Sequence, residues 1–255
     1  MNSWSAPTLA WIVAASLAGG ALSVLAAAFA LALRPAWVAM LVSYSVGTLL
    51  GAAFLELIPH AFERGGAREA GIAILGGILG FFLLEKLLLW RHAHGEEETA
   101  APDHGRSGAL IVIGDTVHNF VDGLLIAASF LQGTELGIVV ALAIVAHEIP
   151  QEVGDFVILL HSGYGRAKAF ALNLLSSAAT LVGGVLGYYS LHRLERMETA
   201  LMGVVAASMI YVAVADLIPG LHRRPELRAT LGQVILIALG IATIAGVRIF
   251  IENWL

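Results

Sequence analysis

The chain of 255 residues contains no cysteine. Disulfides and thiolate ligands are therefore excluded, and any metal must be held by nitrogen and oxygen. Charge is also scarce: 13% of residues are Asp, Glu, Lys or Arg, against 58% apolar. A soluble domain carries about 25% charged residues to cover its surface. With a mean hydropathy of +0.84, the solvent for most of this chain is lipid. The net charge of −5 gives no footing for a phosphate backbone, so no nucleic-acid partner is expected. The opening MNSWSAPTLAW has neither Lys nor Arg. It lacks the basic segment of a cleaved signal, and the first apolar run is expected to be retained.

What is present is a series of apolar runs, each near the ~20 residues that cross a bilayer as helix. Eight are read, at roughly 8–33, 36–59, 69–90, 108–131, 135–160, 168–190, 199–219 and 230–252. They are continuous rather than alternating, which predicts helices and not a barrel. Trp4, Trp11, Trp37, Trp90 and Trp254 fall at or near segment ends, where indoles favour the interface. The whole of 1–255 is then one all-α, multi-pass transmembrane domain with no room for a soluble one. With the N-terminus outside, nine Lys and Arg fall on the cytoplasmic side and five outside. That bias predicts both termini extracytoplasmic, in a plasma (inner) membrane.

The longest connection, residues 91–107, reads as a flexible His- and acid-rich cytoplasmic loop. Its His92, His94 and His104, with neighbouring carboxylates, fit either a solvated acidic loop or a tether that collects metal. Two short repeats are visible. Glu56-Leu57-Ile58-Pro59 in segment two answers Asp216-Leu217-Ile218-Pro219 in segment seven. The two segments run in opposite directions, as a 3+2+3 inverted repeat requires. LGGILGFF near 75–82 and VGGVLGYY near 182–189 are read as a shared packing motif. Gly76 with Gly80, and Gly183 with Gly187, would each make a face for close helix contact.

Polar residues interrupt the apolar runs in segments four and five. GDTVHNFVDG carries Asp115, His118, Asn119 and Asp122, all within about 100° of helical arc. AHEIPQEVGDF carries His147, Glu148, Gln151, Glu152 and Asp155, again on one side of the helix. The short QGTE turn makes the two helices antiparallel neighbours, so the polar faces can meet. A charge at the bilayer centre costs at least about 2.5–3.5 kcal/mol. Facing carboxylates need a divalent cation or protons to neutralise them, or the cluster is a seam of mutual hydrogen bonds. Pro150 lacks an N–H, so the Ala146 carbonyl is expected to be free to point into the site. Gly123 and Gly154 are read as sites of close approach. HEIPQ resembles the HExxH of zinc proteases, but Gln151 replaces the second His and Pro150 interrupts the helix. An intramembrane metalloprotease and a metal-independent proton relay are the rival readings to a transporter. Glu85 and Lys86 are read as snorkelling side chains, and the roles of Glu56 and Asp216 stay open.

HNFVDGLLIAASF and HEIPQEVGDFVILL resemble the paired signatures of the ZIP (ZRT/IRT-like) metal-ion transporters, in the branch with HEIPHE-x-GDF. LELIPH in segment two and LNLLSS in segment six extend the resemblance. It implies transport of Zn²⁺, or of Fe²⁺, Mn²⁺ or Cd²⁺, toward the cytoplasm, with the metal as substrate and no enzymatic activity. It implies a binuclear metal site between helices four and five, with His118, Asn119, Asp122, His147, Glu148 and the position of Gln151 matching the ligand motifs. Asn173 matches a polar position that would complete it; Glu152, Asp115 and Asp155 are further candidates. The family often forms dimers, so a homodimer is implied, and a bundle of helices one, four, five and six is expected to move against a scaffold of the others. Where the family has His, this chain has Gln151, a weaker and harder donor, which predicts lower Zn²⁺ affinity or a tilt toward Fe²⁺ or Mn²⁺.

Overall fold

The computed structural model describes residues 6–29, 35–93, 106–191, 198–222 and 226–254. It is all-helical. α1 is Ala6–Ala28. α2 joins Pro35–Gly51, a π-helical turn Ala52–Leu57 and Ile58–Gly65. α3 is Ala67–Ala93, α4 Arg106–Gln132, α5 Thr134–His161 and α6 Arg166–Ser190. α7 joins Glu198–Tyr211, a π turn Val212–Leu217 and Ile218–Leu221. α8 is Leu227–Trp254. All eight are long and apolar enough to cross a membrane, as their sequence predicts. The chain is a multi-pass integral membrane protein. α1 is shorter than its apolar run, and α3 and α4 each extend a little into the 91–107 stretch. His94 and His104 lie outside the described residues, as does Trp4.

The inverted repeat is visible in two independent ways. First, the helix contacts are twofold symmetric. α1 packs on α5 as α6 packs on α4, and α2 packs on α8 as α7 packs on α3. This relates α1–α3 to α6–α8, with α4 and α5 exchanged between them. Second, the π turns occupy equivalent places: AAFLEL in α2 and VAVADL in α7, each followed by Ile-Pro. Each turn carries the carboxylate of its repeat, Glu56 or Asp216. A π turn widens the helix by one residue and re-aims its side chains, and such turns gather at functional sites.

Two groups of helices follow from the same contacts: α1, α4, α5 and α6 in one, α2, α3, α7 and α8 in the other. α5 is the innermost, with 67% of its apolar window buried, against 11% for α3 and for α8. α3 and α8 therefore present their apolar side chains to lipid. Within the first group α4 and α6 meet backbone to backbone. A Cβ on Gly123 would land on the Thr180 carbonyl, and one on Gly183 would land on the Phe120 carbonyl. Gly187 packs the same way against Leu124 and Ala127. The expectation fails for the matching motif in α3. Nothing lies within 4 Å of a Cβ on Gly76 or Gly80, and Gly77 is the residue that touches α7, at Ala207. One residue of helical rotation separates the two outcomes. Gly154 likewise faces open space.

Between the groups, the main contact is α2 on α5. Here Pro150 frees the Ala146 carbonyl, as expected, but that carbonyl does not enter the site. The Ser45 hydroxyl of α2 donates to it. An unpaired carbonyl in hydrocarbon is costly, and a hydroxyl on the neighbouring helix relieves it.

Candidate metal centre

His118 and Asp122 sit one turn apart on α4, and His147 and Glu148 are adjacent on α5. The i, i+4 spacing stacks the first pair on one face. The α4–α5 hairpin brings the second pair opposite, so one ligand atom from each of the four residues lies within 4.8 Å of the others. His147 Nε2 is 3.1 Å from Asp122 Oδ2, 3.2 Å from His118 Nε2 and 3.8 Å from Glu148 Oε1. His118 Nε2 is 3.6 Å from both Asp122 Oδ2 and Glu148 Oε1. A tetrahedral zinc ion with bonds of about 2.0–2.1 Å sets its ligands about 3.4 Å apart. The observed spacings scatter around that edge length.

The donor chemistry agrees. His147 Nδ1 approaches the Ala143 carbonyl at 3.3 Å. A carbonyl only accepts, so this contact fits a proton on Nδ1, the tautomer that leaves the Nε2 lone pair available to a metal. Asp122 Oδ2 and Glu148 Oε1 are buried oxygens with no hydrogen-bond donor among the described residues. Two buried carboxylates aimed at one point repel each other, and a divalent cation cancels both charges. Asp122, His147 and Glu148 are nearly inaccessible, while the His118 side chain keeps 24% of its surface.

The remaining candidates form a second layer toward the end of α4 where the helix begins. Asn119 donates to the Asp115 backbone carbonyl and, at 3.0 Å, to Asp115 Oδ1, and its own oxygen accepts from Thr180 at 2.8 Å. Both ends of the amide are thus engaged in this layer. Gln151 Nε2 reaches toward Asp115 Oδ1 at 3.5 Å. Glu152 accepts from Ser177, and Asn173 donates to the Glu152 backbone carbonyl at 3.0 Å. Asp155 lies one turn further along α5 and is half-buried. Ser177, though within LNLLSS, and Thr180 were assigned no role from the sequence. With Asn173 they recur at helical spacing on one face of α6, which is the signal that could have found them. The His92 side chain lies outside the described residues.

A cavity of about 130 Å³ reaches His118 and Asp122 from between α3, α4 and α7. Glu85 and Asp216 stand on its wall. Glu85, read as a snorkelling side chain, is exposed and accepts a hydrogen bond from the Tyr211 hydroxyl. Lys86 lies over the Phe82 ring at 5.9 Å.

The sequence profile described as "ZIP Zinc transporter" matches residues 8–109 and 90–248. Zinc transporter ZIP13 of Pongo abelii is 32% identical over 231 residues, covering 83% of this chain and 67% of that protein. Zinc transporter zipt-7.2 of Caenorhabditis elegans is 30% identical over 261 residues, covering 79% and 56%. Zinc transporter ZIP13 of Homo sapiens is 29% identical over 265 residues, covering 83% and 71%. The matches span both halves of the chain and the cluster between them. They are transporters and not enzymes, so the protease reading of HEIPQ falls with the second His that it lacks. By profile, by relatives and by eight-helix architecture, the chain belongs to the ZIP zinc transporter family.

Proposed function

We propose that the protein carries Zn²⁺ across its membrane toward the cytoplasm, with His118, Asp122, His147 and Glu148 as the ligands of the ion in transit. The observation that carries this reading is the meeting of four donor atoms, three of them from buried residues, at spacings near the edge of a zinc tetrahedron. Two neutral imidazoles and two carboxylates make an uncharged complex with a divalent ion, which removes the electrostatic cost of crossing hydrocarbon. Zn²⁺ is the cargo and not a resident cofactor.

The second layer extends the proposal. Asn119, Gln151, Asp115, Glu152, Asp155 and Asn173 would receive the ion, or a second ion, one turn below the first. The buried Glu152 Oε2, with no hydrogen-bond donor among the described residues, favours this. Gln151 brings a neutral amide to that layer, and selectivity among Zn²⁺, Fe²⁺, Mn²⁺ and Cd²⁺ is assigned to it on ligand type. The loop histidines His92, His94 and His104 are proposed as a collecting tether on sequence grounds. The Lys and Arg bias supports extracytoplasmic termini in a plasma (inner) membrane, and family resemblance supports a homodimer.

The test is an uptake panel in proteoliposomes with each metal in turn, for the parent chain, His118→Ala and Gln151→His. The parent accumulates Zn²⁺, and His118→Ala loses uptake by about a hundredfold or more while still inserting. Retained uptake in His118→Ala removes the centre; an unchanged metal preference in Gln151→His removes the selectivity assignment.

A further inference from the structure

Three uncharged polar residues of α6 tie the second layer together. Asn173, Ser177 and Thr180 follow one another at i, i+4 and i+7, so they share a face within about 60° of arc. All three are buried. Each reaches across to a neighbouring helix. Thr180 donates to Asn119 Oδ1 of α4 at 2.8 Å. Ser177 donates to Glu152 Oε1 of α5, and Asn173 donates to the Glu152 backbone carbonyl at 3.0 Å. A buried hydroxyl in a helix can satisfy itself at home, as Ser129 does on the Leu125 carbonyl at 2.8 Å. Ser177 and Thr180 hydrogen-bond across helices to two residues of the second layer.

The hydrogen bonds at Asn119 fix which way its amide faces. One amide atom lies 3.1 Å from the Asp115 backbone carbonyl and 3.0 Å from Asp115 Oδ1. A carbonyl only accepts, so that atom is the nitrogen. The oxygen, the one atom of the amide that can bind a cation, is thereby turned to Thr180. An amide oxygen has two lone pairs: the Thr180 hydroxyl engages one, and the other stays open to an ion. Thr180 is itself held in place, because its backbone carbonyl is the atom that a Cβ on Gly123 would strike. The close α4–α6 contact therefore keeps donor and acceptor in register. Glu152 is arranged in the same way. Ser177 engages Oε1, while Oε2 is buried with no hydrogen-bond donor among the described residues.

Resting on the assignment of the second layer to the ion in transit, we propose that Thr180 and Ser177 are positioning residues for that layer. Thr180 sets the direction of the Asn119 oxygen, and Ser177 sets the Glu152 carboxylate with one oxygen bare. Neither hydroxyl touches the ion. Groups that stand behind metal ligands fix their orientation and raise affinity in this way. The layer takes these two residues from α4 and α5, but the hydroxyls that aim them come from α6. The affinity of the layer is therefore set by a third helix.

The test uses the full chain in proteoliposomes with Zn²⁺ alone as probe. Thr180→Val keeps the shape of the side chain and removes the donor. It raises the KM for uptake by about tenfold or more, and Thr180→Ser, which keeps a hydroxyl, stays near the parent. Ser177→Ala raises KM in the same direction. Ser129→Ala removes a hydroxyl that serves its own helix and leaves KM at the parent value. Thr180→Ala takes the place of Thr180→Val if the latter fails to insert. A double-mutant cycle reads the coupling: once Asn119→Ala is made, Thr180→Val adds nothing further. A parent-like KM in Thr180→Val overturns the assignment of Thr180, and one in Ser177→Ala overturns that of Ser177. A Thr180→Ser variant as impaired as Thr180→Val, or losses that simply add in the cycle, also overturn it, because either marks a role in packing alone. Asn119→Ala separates the two ideas. Parent-like uptake there removes the second layer itself, whereas impaired uptake there with parent-like Thr180→Val and Ser177→Ala removes only the positioning role.

Discussion

The α2–α5 contact and the α4–α7 contact are equivalent under the twofold of the inverted repeat, yet they differ. α2 and α5 pack closely and share the Ser45–Ala146 hydrogen bond. α4 and α7 touch less closely, and the cavity that reaches His118 and Asp122 opens beside their contact. A symmetric sequence pattern has thus been folded into one closed side and one open side. Exchange of the two states is what an inverted-repeat transporter needs for alternating access. The carboxylates follow the same division. Glu56, on the closed side, is neutralised by Arg248; Asp216, on the open side, faces Glu85.

The comparison can be pressed at three points. The largest stability effect is expected where equivalent helix pairs touch. Gly123→Ala drives a methyl into the Thr180 carbonyl between α4 and α6, and should cost about 2–4 kcal/mol. Its counterpart between α1 and α5, Gly19→Ala, meets only the Val145 Cγ2 at 3.1 Å, a side chain that can turn away. Unfolding in mixed detergent should rank the two in that order, and equal costs would mean that the two interfaces are equally rigid. A smaller loss is expected for Arg248→Met, which removes the cation facing Glu56. Half of the Arg248 side chain is exposed, so the cost is about 1–2 kcal/mol. Adding Glu56→Gln should recover most of it, and Zn²⁺ uptake should not change in either. A fall in uptake without a fall in stability would place the closed-side carboxylate on the ion path. The smallest effect is expected for Ser45→Ala, about 1 kcal/mol for one hydrogen bond between helix groups. An unaltered melting curve would show that water replaces the hydroxyl there.

Much of this was legible in the sequence because lipid imposes simple rules. Eight charge-poor runs of spanning length could only be helices, and His118 and Asp122 at i, i+4 could only share a face. The pairing with His147 and Glu148 followed from the shortness of the connection between segments four and five. What stayed hidden depends on helix rotation or on distant partners. The Asn119 amide, matched to a ligand motif, also accepts a hydrogen bond from Thr180, 61 residues away, which no local pattern announces. Glu85, read as a snorkelling acid, has a partner in Tyr211, 126 residues away. Gly76 and Gly183 sit in nearly the same octapeptide, and only the rotation of each helix decides that the second finds a partner. The π turns were hidden for another reason: one extra residue in a hydrogen-bonded ring leaves no mark in composition or periodicity.

The hydrogen bond at Pro150 has a mechanical meaning. The proline lets α5 offer an acceptor sideways, and Ser45 takes it across the boundary between the two helix groups. Ser45 also has a second acceptor on its own helix, the Leu41 carbonyl at 2.9 Å. Were one group to slide past the other, the hydroxyl would fall back on Leu41 and no donor would be stranded. Only the Ala146 carbonyl would lose its partner. In such a motion the contact would act as a detent, holding the closed side at a definite stop, and its release would cost no more than one unpaired acceptor.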